Sequence, residues 1–174
     1  METGQFQVYT GDGKGKTTAA LGLALRACGA GLRVYIGQFI KKGEYSEIKA
    51  LRALPGVTVE QYGSGKGLLV RREPDDEDRA CARAGLDRIT AALTGGDYDV
   101  VIADEINCAL TCGLLAAEDL TALIDRRPGN VELVFTGRGA AQAVLDRADL
   151  VTEMRPIRHY YQDKGLPARE GIEM

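Results

Sequence analysis

Close behind the N-terminus, residues 9–18 read Tyr9-Thr10-Gly11-Asp12-Gly13-Lys14-Gly15-Lys16-Thr17-Thr18. A strand-like run, Phe6 to Tyr9, precedes this segment, and an alanine- and leucine-rich helical run follows it. A strand, a glycine-rich loop and a helix in this order are the context that a phosphate-binding loop requires. The glycines let backbone N–H groups approach an anion, and the helix start adds unpaired N–H groups and the positive end of its dipole. The segment therefore predicts that the protein binds a nucleotide.

Two residues of this loop have a predicted chemical role. Lys16 can reach phosphate oxygens, and the hydroxyl of Thr17 can ligate Mg²⁺. The other residues expected to contact the nucleotide are Thr10, Gly11, Asp12, Gly13, Lys14, Gly15 and Thr18. The loop departs from the standard pattern, because Thr10 stands where the first glycine is expected. The alternative interpretation is a glycine-rich turn with no ligand.

The bulk composition is that of one globular domain, expected over residues 1–174. Of the 174 residues, 45% are hydrophobic and 27% are charged, and a chain of this length can bury a substantial core. The net charge of −3 argues against a nucleic-acid surface, which needs a basic field. No apolar run approaches a membrane span and no signal sequence is recognisable, so we expect a cytoplasmic protein without membrane contact.

The cysteines and the histidine do not form a metal motif in the sequence. The four cysteines, at positions 28, 81, 108 and 112, make no C-x-x-C pair and have no cluster of further ligands nearby. We expect them to be buried and reduced. The single histidine, His159, is interpreted as a hydrogen-bonded structural residue near a polar terminus.

Strand-like and helical segments alternate along the chain. Strands are predicted over residues 6–9, 33–39, 57–62, 100–103, 131–136 and 150–154, and helices over residues 17–30, 46–54, 74–94, 115–127 and 140–148. The alternation predicts an α/β fold in three layers, a mostly parallel sheet of about six strands with helices on both faces. The first helix is apolar on most sides and is expected to be buried. The tail, residues 155–174, is polar and expected to be irregular.

A cluster of acids at residues 75–78 opens the third predicted helix. Negative side chains favour the positive end of a helix dipole, so helix-start electrostatics explain the cluster more simply than a metal site does.

A pair of acids, Asp104-Glu105, ends the buried strand of residues 100–103. Phosphate-loop proteins place the acid of their metal site at this point, beside the loop at the carboxyl end of the sheet. Together with Thr17, Asp104 and Glu105 are therefore the predicted metal ligands. The alternative is that one of the two acids caps the following helix.

An arginine follows the next predicted strand, in the segment Thr136-Gly137-Arg138-Gly139. The guanidinium of Arg138 could pair two oxygens of a phosphate chain in a forked geometry that lysine cannot provide. The alternative is a plain turn with a solvated arginine.

Five segments, in order along nearly the whole chain, resemble the CobA-type ATP:corrinoid adenosyltransferases. They comprise residues 9–20, 38–41, 98–107 with 113–114, 135–140, and 148–156 with 159 and 171–173. The Thr10 variant of the loop and the ending Thr152-Glu153-Met154-Arg155-Pro156 are much more specific than a generic nucleotide loop.

The resemblance implies transfer of the 5′-deoxyadenosyl group of ATP to the cobalt of a reduced corrinoid such as cobalamin, leaving triphosphate. It also implies a RecA-like sheet, a homodimer, a requirement for Mg²⁺ or Mn²⁺, and an electron-donating flavoprotein partner. The family holds ATP reversed on the loop, so that the ribose C5′ faces the corrinoid.

This chemistry fits the residues named above. Cob(I) is itself a powerful nucleophile, so the protein supplies orientation and stabilises charge on the departing triphosphate. Lys16, Arg138 and Lys14, with the metal, would carry that charge, and Glu105 joins Lys16 and Arg138 as a catalytic residue.

Two features depart from the family pattern. Members often carry an N-terminal extension that covers the corrinoid, whereas only a few residues precede the first strand here. Many also place Phe and Trp against the corrinoid after the third strand, and this chain has no Trp. Leu68, Leu69 and Val70 occupy the corresponding stretch and are predicted to face the corrinoid.

Two other function classes are considered. One is a phosphate-loop kinase or hydrolase that cuts at the γ-phosphate; thymidine kinases have a similar core, but Cys108 and Cys112 match their zinc segment poorly. The other is a non-catalytic nucleotide-binding module, which would bind ATP without turnover.

Overall fold

Strands alternate with helices in the computed structural model, which describes residues 2–66 and 72–173, and two helices lie between the fourth and fifth strands. The strands are β1 (Phe6–Thr10), β2 (Val34–Phe39), β3 (Val57–Tyr62), β4 (Val100–Asp104), β5 (Glu132–Thr136) and β6 (Leu150–Glu153). The helices are α1 (Lys16–Gly29), α2 (Ser46–Arg52), α3 (Asp76–Thr94), α4 (Ile106–Thr111), α5 (Ala117–Asp125), α6 (Gln142–Leu145) and α7 (Tyr160–Lys164).

The six strands form one sheet in the order β3-β2-β4-β5-β1-β6. Every pairing in the sheet is parallel, with Val8 of β1 opposite Phe135 of β5 and Val101 of β4 opposite Leu133 of β5. Since all strands run in the same direction, their carboxyl ends meet at one edge of the sheet, where ligands of such folds bind. The predicted α/β fold is confirmed.

Two hydrophobic cores lie on opposite faces of this sheet. Alternate residues of β4 face different cores: Val101 packs with α3, α4 and α5, whereas Ile102 packs with α1 and α2. This period of two is expected for a strand that is buried on both sides. The arrangement confirms the three layers predicted from the sequence.

The sequence predicted that the first helix, α1, is buried on most sides, and this prediction was wrong. Its alanines Ala20, Ala24 and Ala27 are buried against the sheet, but Leu25 is 59% exposed. A helix lying on one face of a sheet contacts it through a single stripe of residues three and four apart. The small alanines bring α1, and the loop that precedes it, close to the strands.

Other differences concern the ends of elements and the tail. The helices predicted over 115–127 and 140–148 are shorter, and α4, which was not predicted, follows β4 directly. The tail is not irregular throughout, because it contains α7. At the start of α3, Asp75 and Asp78 form a capping box, with each side chain accepting the other's backbone N–H. Among the helices of the described residues, none has both the length and the apolar character needed to span a bilayer.

Candidate functional site

The glycine-rich loop between β1 and α1 is braced by the chain that leaves β6. The N–H of Gly13 donates to the carbonyl oxygen of Met154 at 2.6 Å, and the N–H of Met154 donates to the carbonyl oxygen of Thr10 at 2.8 Å. A Cβ atom at Gly11 or Gly13 would lie 2.6 Å from the Met154 carbonyl oxygen. Glycine is therefore required at both positions by the close approach of this backbone.

The start of α1 is arranged for an anion. Gly15 precedes the helix with φ +119°, a conformation that favours glycine, and no side chain caps the first turn. The Lys16 side chain is buried, and its Nζ donates to the carbonyl oxygens of Gly11 and Gly13, each at 2.7 Å. Burial lowers the pKa of Lys16, while the nearby carboxylate of Glu105 acts in the opposite direction. Uncapped N–H groups and a buried ammonium thus lie within one turn.

The carboxylate of Asp104 is fully buried at the end of β4 and joins groups from three other parts of the site. Its Oδ1 accepts from the hydroxyl of Thr17 at 2.9 Å and from the hydroxyl of Thr136 at 2.6 Å. Its Oδ2 accepts from the side-chain amide of Gln38 at 2.9 Å and lies 3.6 Å from Lys41 Nζ. Three hydrogen bonds and one ion pair thus satisfy both oxygens of this carboxylate, whose burial without partners would carry a large desolvation cost.

Lys41 is a site residue that the sequence reasoning did not select. Ile40, directly after β2, has φ +68° and turns the chain so that the Lys41 ammonium reaches Asp104. Burial lowers the pKa of Lys41, but the carboxylates of Asp104 and Glu105 outweigh it, so the pKa lies above its ordinary value. Its position in the sequence could have indicated this role, because Lys41 follows β2, the strand that pairs with β4.

Glu105 does not cap helix α4 with its side chain. It occupies the N-cap position with φ +61°, and its backbone N–H donates to the hydroxyl of Thr136 at 2.9 Å. Non-glycine residues in this conformation are uncommon and cluster at functional sites. The two acids therefore have different positions, since Asp104 is buried and Glu105 lines a cavity.

Arg138 lies in the turn after β5. Gly137, with φ +122°, packs against Asn107 and Cys108, and the N–H of Arg138 donates to Cys108 Sγ at 3.3 Å. Burial raises the pKa of Cys108 to about 12, so its thiol stays neutral. Arg138 itself is exposed and lines the cavity, and among residues 2–66 and 72–173 its guanidinium has no hydrogen-bond partner.

A cavity of about 600 Å³ lies above the loop. Its wall brings together most of the predicted residues with several that were not predicted: Gly13, Lys14, Gly15, Lys16, Thr17, Thr18, Leu21, Lys41, Ser46, Glu47, Glu105, Arg138, His159, Tyr160, Gly171, Ile172 and Glu173. Thr10, Gly11, Asp12 and Asp104 are not part of this wall; Thr10 Oγ1 instead accepts from the N–H of Ala140 at 3.4 Å. Leu68, Leu69 and Val70 lie outside the described residues.

The C-terminal residues of the wall had no periodic pattern from which to predict them. His159 precedes α7, and its Nδ1 accepts from the N–H of Tyr161 at 3.2 Å. The hydrogen bond predicted for His159 is present, and the residue also lines the cavity. Its neighbour Tyr160 and the distant Glu173 both contact the side chain of Lys14.

The site offers oxygen donors of the kind that Mg²⁺ prefers. They are the hydroxyl of Thr17, which lies 2.9 Å from the Asp104 carboxylate, and the carboxylate of Glu105 on the cavity wall. Within the described part of the chain, no group of three or more His, Cys, Asp or Glu residues could enclose a metal by itself. The donor set fits a metal that is shared between a few side chains and phosphate oxygens.

Comparison with known proteins decides the family. A family model described as ATP:corrinoid adenosyltransferase BtuR/CobO/CobP matches residues 2–174. The chain belongs to this family.

Relatives among curated proteins agree with that membership. The chain is 34% identical to the corrinoid adenosyltransferase of Pseudomonas aeruginosa and to the corrinoid adenosyltransferase CobA of Salmonella typhimurium, in each case over 172 residues. These matches cover 99% of this chain and 84% and 86% of the two relatives. The predicted resemblance is confirmed, and the protein is a transferase that moves an adenosyl group to a corrinoid.

A further relative is longer. An uncharacterized protein of Nostoc is 39% identical over 171 residues, which cover 90% of this chain. This match covers only 45% of the length of the Nostoc protein.

The Asp104 network of this adenosyltransferase predicts the effect of Thr136→Val. The substitution removes a buried hydroxyl that donates to Asp104 and accepts from the N–H of Glu105. We expect the free energy of unfolding to fall by about 1–3 kcal/mol, because the N–H of Glu105 loses its acceptor and Asp104 loses one of its donors. Urea unfolding measures the change.

Thr136→Ser is the matched control, because it keeps the hydroxyl and should retain most of the stability. Equal stabilities for the valine and serine variants would show that the Thr136 hydroxyl does not support Asp104.

Proposed function

We propose that this enzyme transfers the 5′-deoxyadenosyl group of ATP to the Co(I) centre of a reduced corrinoid and releases triphosphate. The observation that carries this proposal is the cavity above the loop, whose wall contains the cations Lys14, Lys16, Lys41 and Arg138. So many cations beside the uncapped start of α1 form a site for a highly charged anion, and a triphosphate is such an anion.

The reaction needs no nucleophilic side chain from the protein. The electron pair of Co(I) forms the bond to the ribose C5′, the C5′–O bond breaks, and its electron pair leaves on the triphosphate. The protein must align the two reactants and stabilise the added negative charge. In this proposal ATP lies reversed on the loop, as the family resemblance implies, so that C5′ is directed at the corrinoid.

Lys16 and Arg138 are proposed to carry most of the leaving-group charge. The Lys16 ammonium lies inside the loop on two carbonyl oxygens, so a phosphate bound there is within its reach. The Arg138 guanidinium lines the same cavity and can hold two oxygens at once. Glu105 carries a negative charge on the same cavity wall, and it is proposed to orient the metal and its water.

Mg²⁺ or Mn²⁺ would be held by Thr17, Asp104 and Glu105. When bound, the metal supplies positive charge that offsets the charge developing on the phosphate oxygens. The Asp104 carboxylate is already fixed by Thr136 and Gln38 and lies off the cavity wall, so it would act on the metal through water or through the Thr17 hydroxyl.

The family resemblance also supports a homodimer and a flavoprotein that reduces the corrinoid. In the same way, Leu68, Leu69 and Val70 are proposed to face the corrinoid and displace the lower cobalt ligand.

Anaerobic incubation with ATP, Mg²⁺ and cob(I)alamin tests the proposed reaction. The expected result is a light-sensitive cobalt–carbon product, seen by its absorbance, together with one triphosphate for each product molecule. Formation of ADP or free phosphate in place of triphosphate would contradict the proposal and indicate a kinase or hydrolase. ATP binding without turnover would indicate a non-catalytic module.

Arg138→Ala should lower kcat for adenosyl transfer by about 10²–10³-fold, the effect of losing one donor to a developing anion. Arg138 is exposed, so the melting temperature should stay near that of the parent. Arg138→Lys should recover only part of the rate, because lysine lacks the fork.

The matched control is Arg147→Ala, which removes an exposed arginine whose partner is Asp125, outside the cavity. If Arg138→Ala transferred the adenosyl group at the rate of the parent, the assignment of Arg138 to the site would be wrong.

The double variant Leu68→Ala/Leu69→Ala should reduce adenosyl transfer to cobalt while leaving ATP binding unchanged, because the two side chains are assigned to the corrinoid side. Steady-state rates at varied corrinoid, with calorimetry for ATP, separate the two effects. Unchanged transfer would refute the assignment of this loop.

A further inference from the structure

The C-terminal segment, defined here as residues 155–173, forms part of the cavity wall through His159 and Tyr160 at the start of α7 and through residues 171–173. No residue of this segment is buried, and two of its large apolar side chains are exposed, Ile157 at 95% and Ile172 at 56%. Burial of apolar surface is the main force that fixes one element on another. Because none of its side chains is fully buried, polar contacts supply much of what holds the segment over the cavity.

Lys14 connects this segment to the glycine-rich loop. Its Nζ donates to Glu173 Oε1 at 2.8 Å and to the hydroxyl of Tyr160 at 3.0 Å, and it lies 5.7 Å from the centre of the Tyr160 ring. Lys14 makes both of the side-chain hydrogen bonds found between described loop residues 10–18 and the segment. One exposed lysine thus provides the polar link between the two.

Glu173 does not depend on Lys14 for its partners. The backbone N–H of Arg169 donates to Glu173 Oε2 at 2.9 Å, and Nη2 of Arg169 donates to Oε1 at 3.1 Å. The hydroxyl of Tyr160 also donates to Oε1. Arg169 first, and then Lys14 and Tyr160, hold the pKa of Glu173 well below its usual range. The Lys14 ammonium can therefore leave Glu173 without stranding a charge.

We propose that Lys14 is the latch of a C-terminal lid, and that a polyphosphate opens it. This inference rests on the proposed function, in which the loop takes the triphosphate of ATP. The phosphate chain and the Glu173 carboxylate compete for the same ammonium, on the wall of the same cavity. Binding of the chain transfers Lys14 from Glu173 to phosphate oxygens and releases the segment.

The size of the competition follows from the exposure of the ion pair. The Lys14 side chain is 41% exposed, and exposed ion pairs change an equilibrium by about two- to fivefold. Removing the charge of Glu173 should therefore tighten the binding of triphosphate by about that factor.

Calorimetric titration of the full chain with inorganic triphosphate tests the competition. Glu173→Gln should bind about two- to fivefold more tightly than the parent. Glu170→Gln is the matched control, because it makes the same change of charge in the same segment at an exposed carboxylate outside the cavity wall. It should bind like the parent.

Lys14→Ala completes a double-mutant cycle with Glu173→Gln. In this background Glu173→Gln should no longer change the affinity for triphosphate, because the shared ammonium is gone. An effect of Glu173→Gln that persists without Lys14 would overturn the latch.

Amide hydrogen exchange in α7 gives a second readout. Triphosphate should accelerate the exchange of amides such as that of Asp163, which donates to the carbonyl oxygen of His159. In Glu173→Gln the exchange without triphosphate should already be faster than in the parent, by about the same two- to fivefold factor. Slower exchange in the presence of triphosphate would mean that the segment closes on the ligand, and would refute release.

The two proposals fail differently. If the parent gives no heat with triphosphate, the proposed function and the latch both fall. If the parent binds triphosphate but Glu173→Gln and Glu170→Gln bind equally, only the latch is overturned.

Discussion

One buried carboxylate joins the working parts of this adenosyltransferase. Asp104, at the end of β4, accepts hydrogen bonds from Thr17 at the start of α1, Gln38 in β2 and Thr136 in β5, and it pairs with Lys41. A buried carboxylate without such partners would cost several kcal/mol. The need to satisfy it sets the positions of three neighbouring elements, α1, β2 and β5, so the edge of the sheet is prepared before any ligand arrives.

The glycine-rich loop is held from the other side by the backbone of Met154 after β6. Between these two supports, the uncapped first turn of α1 and the Lys16 ammonium face a cavity that is rich in cations. The reaction proposed above, whose nucleophile is the reduced metal of one substrate, requires positioning and charge stabilisation more than acid–base groups. The rigid part of the site supplies both, whereas the C-terminal segment is held mainly by polar contacts at its surface.

The parts of the structure that could be predicted from the sequence are those governed by local patterns. Apolar runs gave the strands, and the positions of Lys16, Asp104 and Arg138 after strands gave the edge of the sheet where they meet. The role of Lys41 depends on a left-handed turn at Ile40, and the contacts of Glu173 depend on how residues 155–173 return to the loop. The local hydrophobic pattern of the sequence encodes neither the turn at Ile40 nor the return of the C-terminal segment. The roles of Lys41 and Glu173 were therefore not predicted.

Calorimetric titration with ATP and Mg²⁺ tests the central claim most directly. The parent should bind ATP with measurable heat, and Lys16→Ala should lose this binding, because it removes the ammonium at the centre of the loop. A parent that gives no heat, or a Lys16→Ala variant that binds as the parent does, would contradict the account.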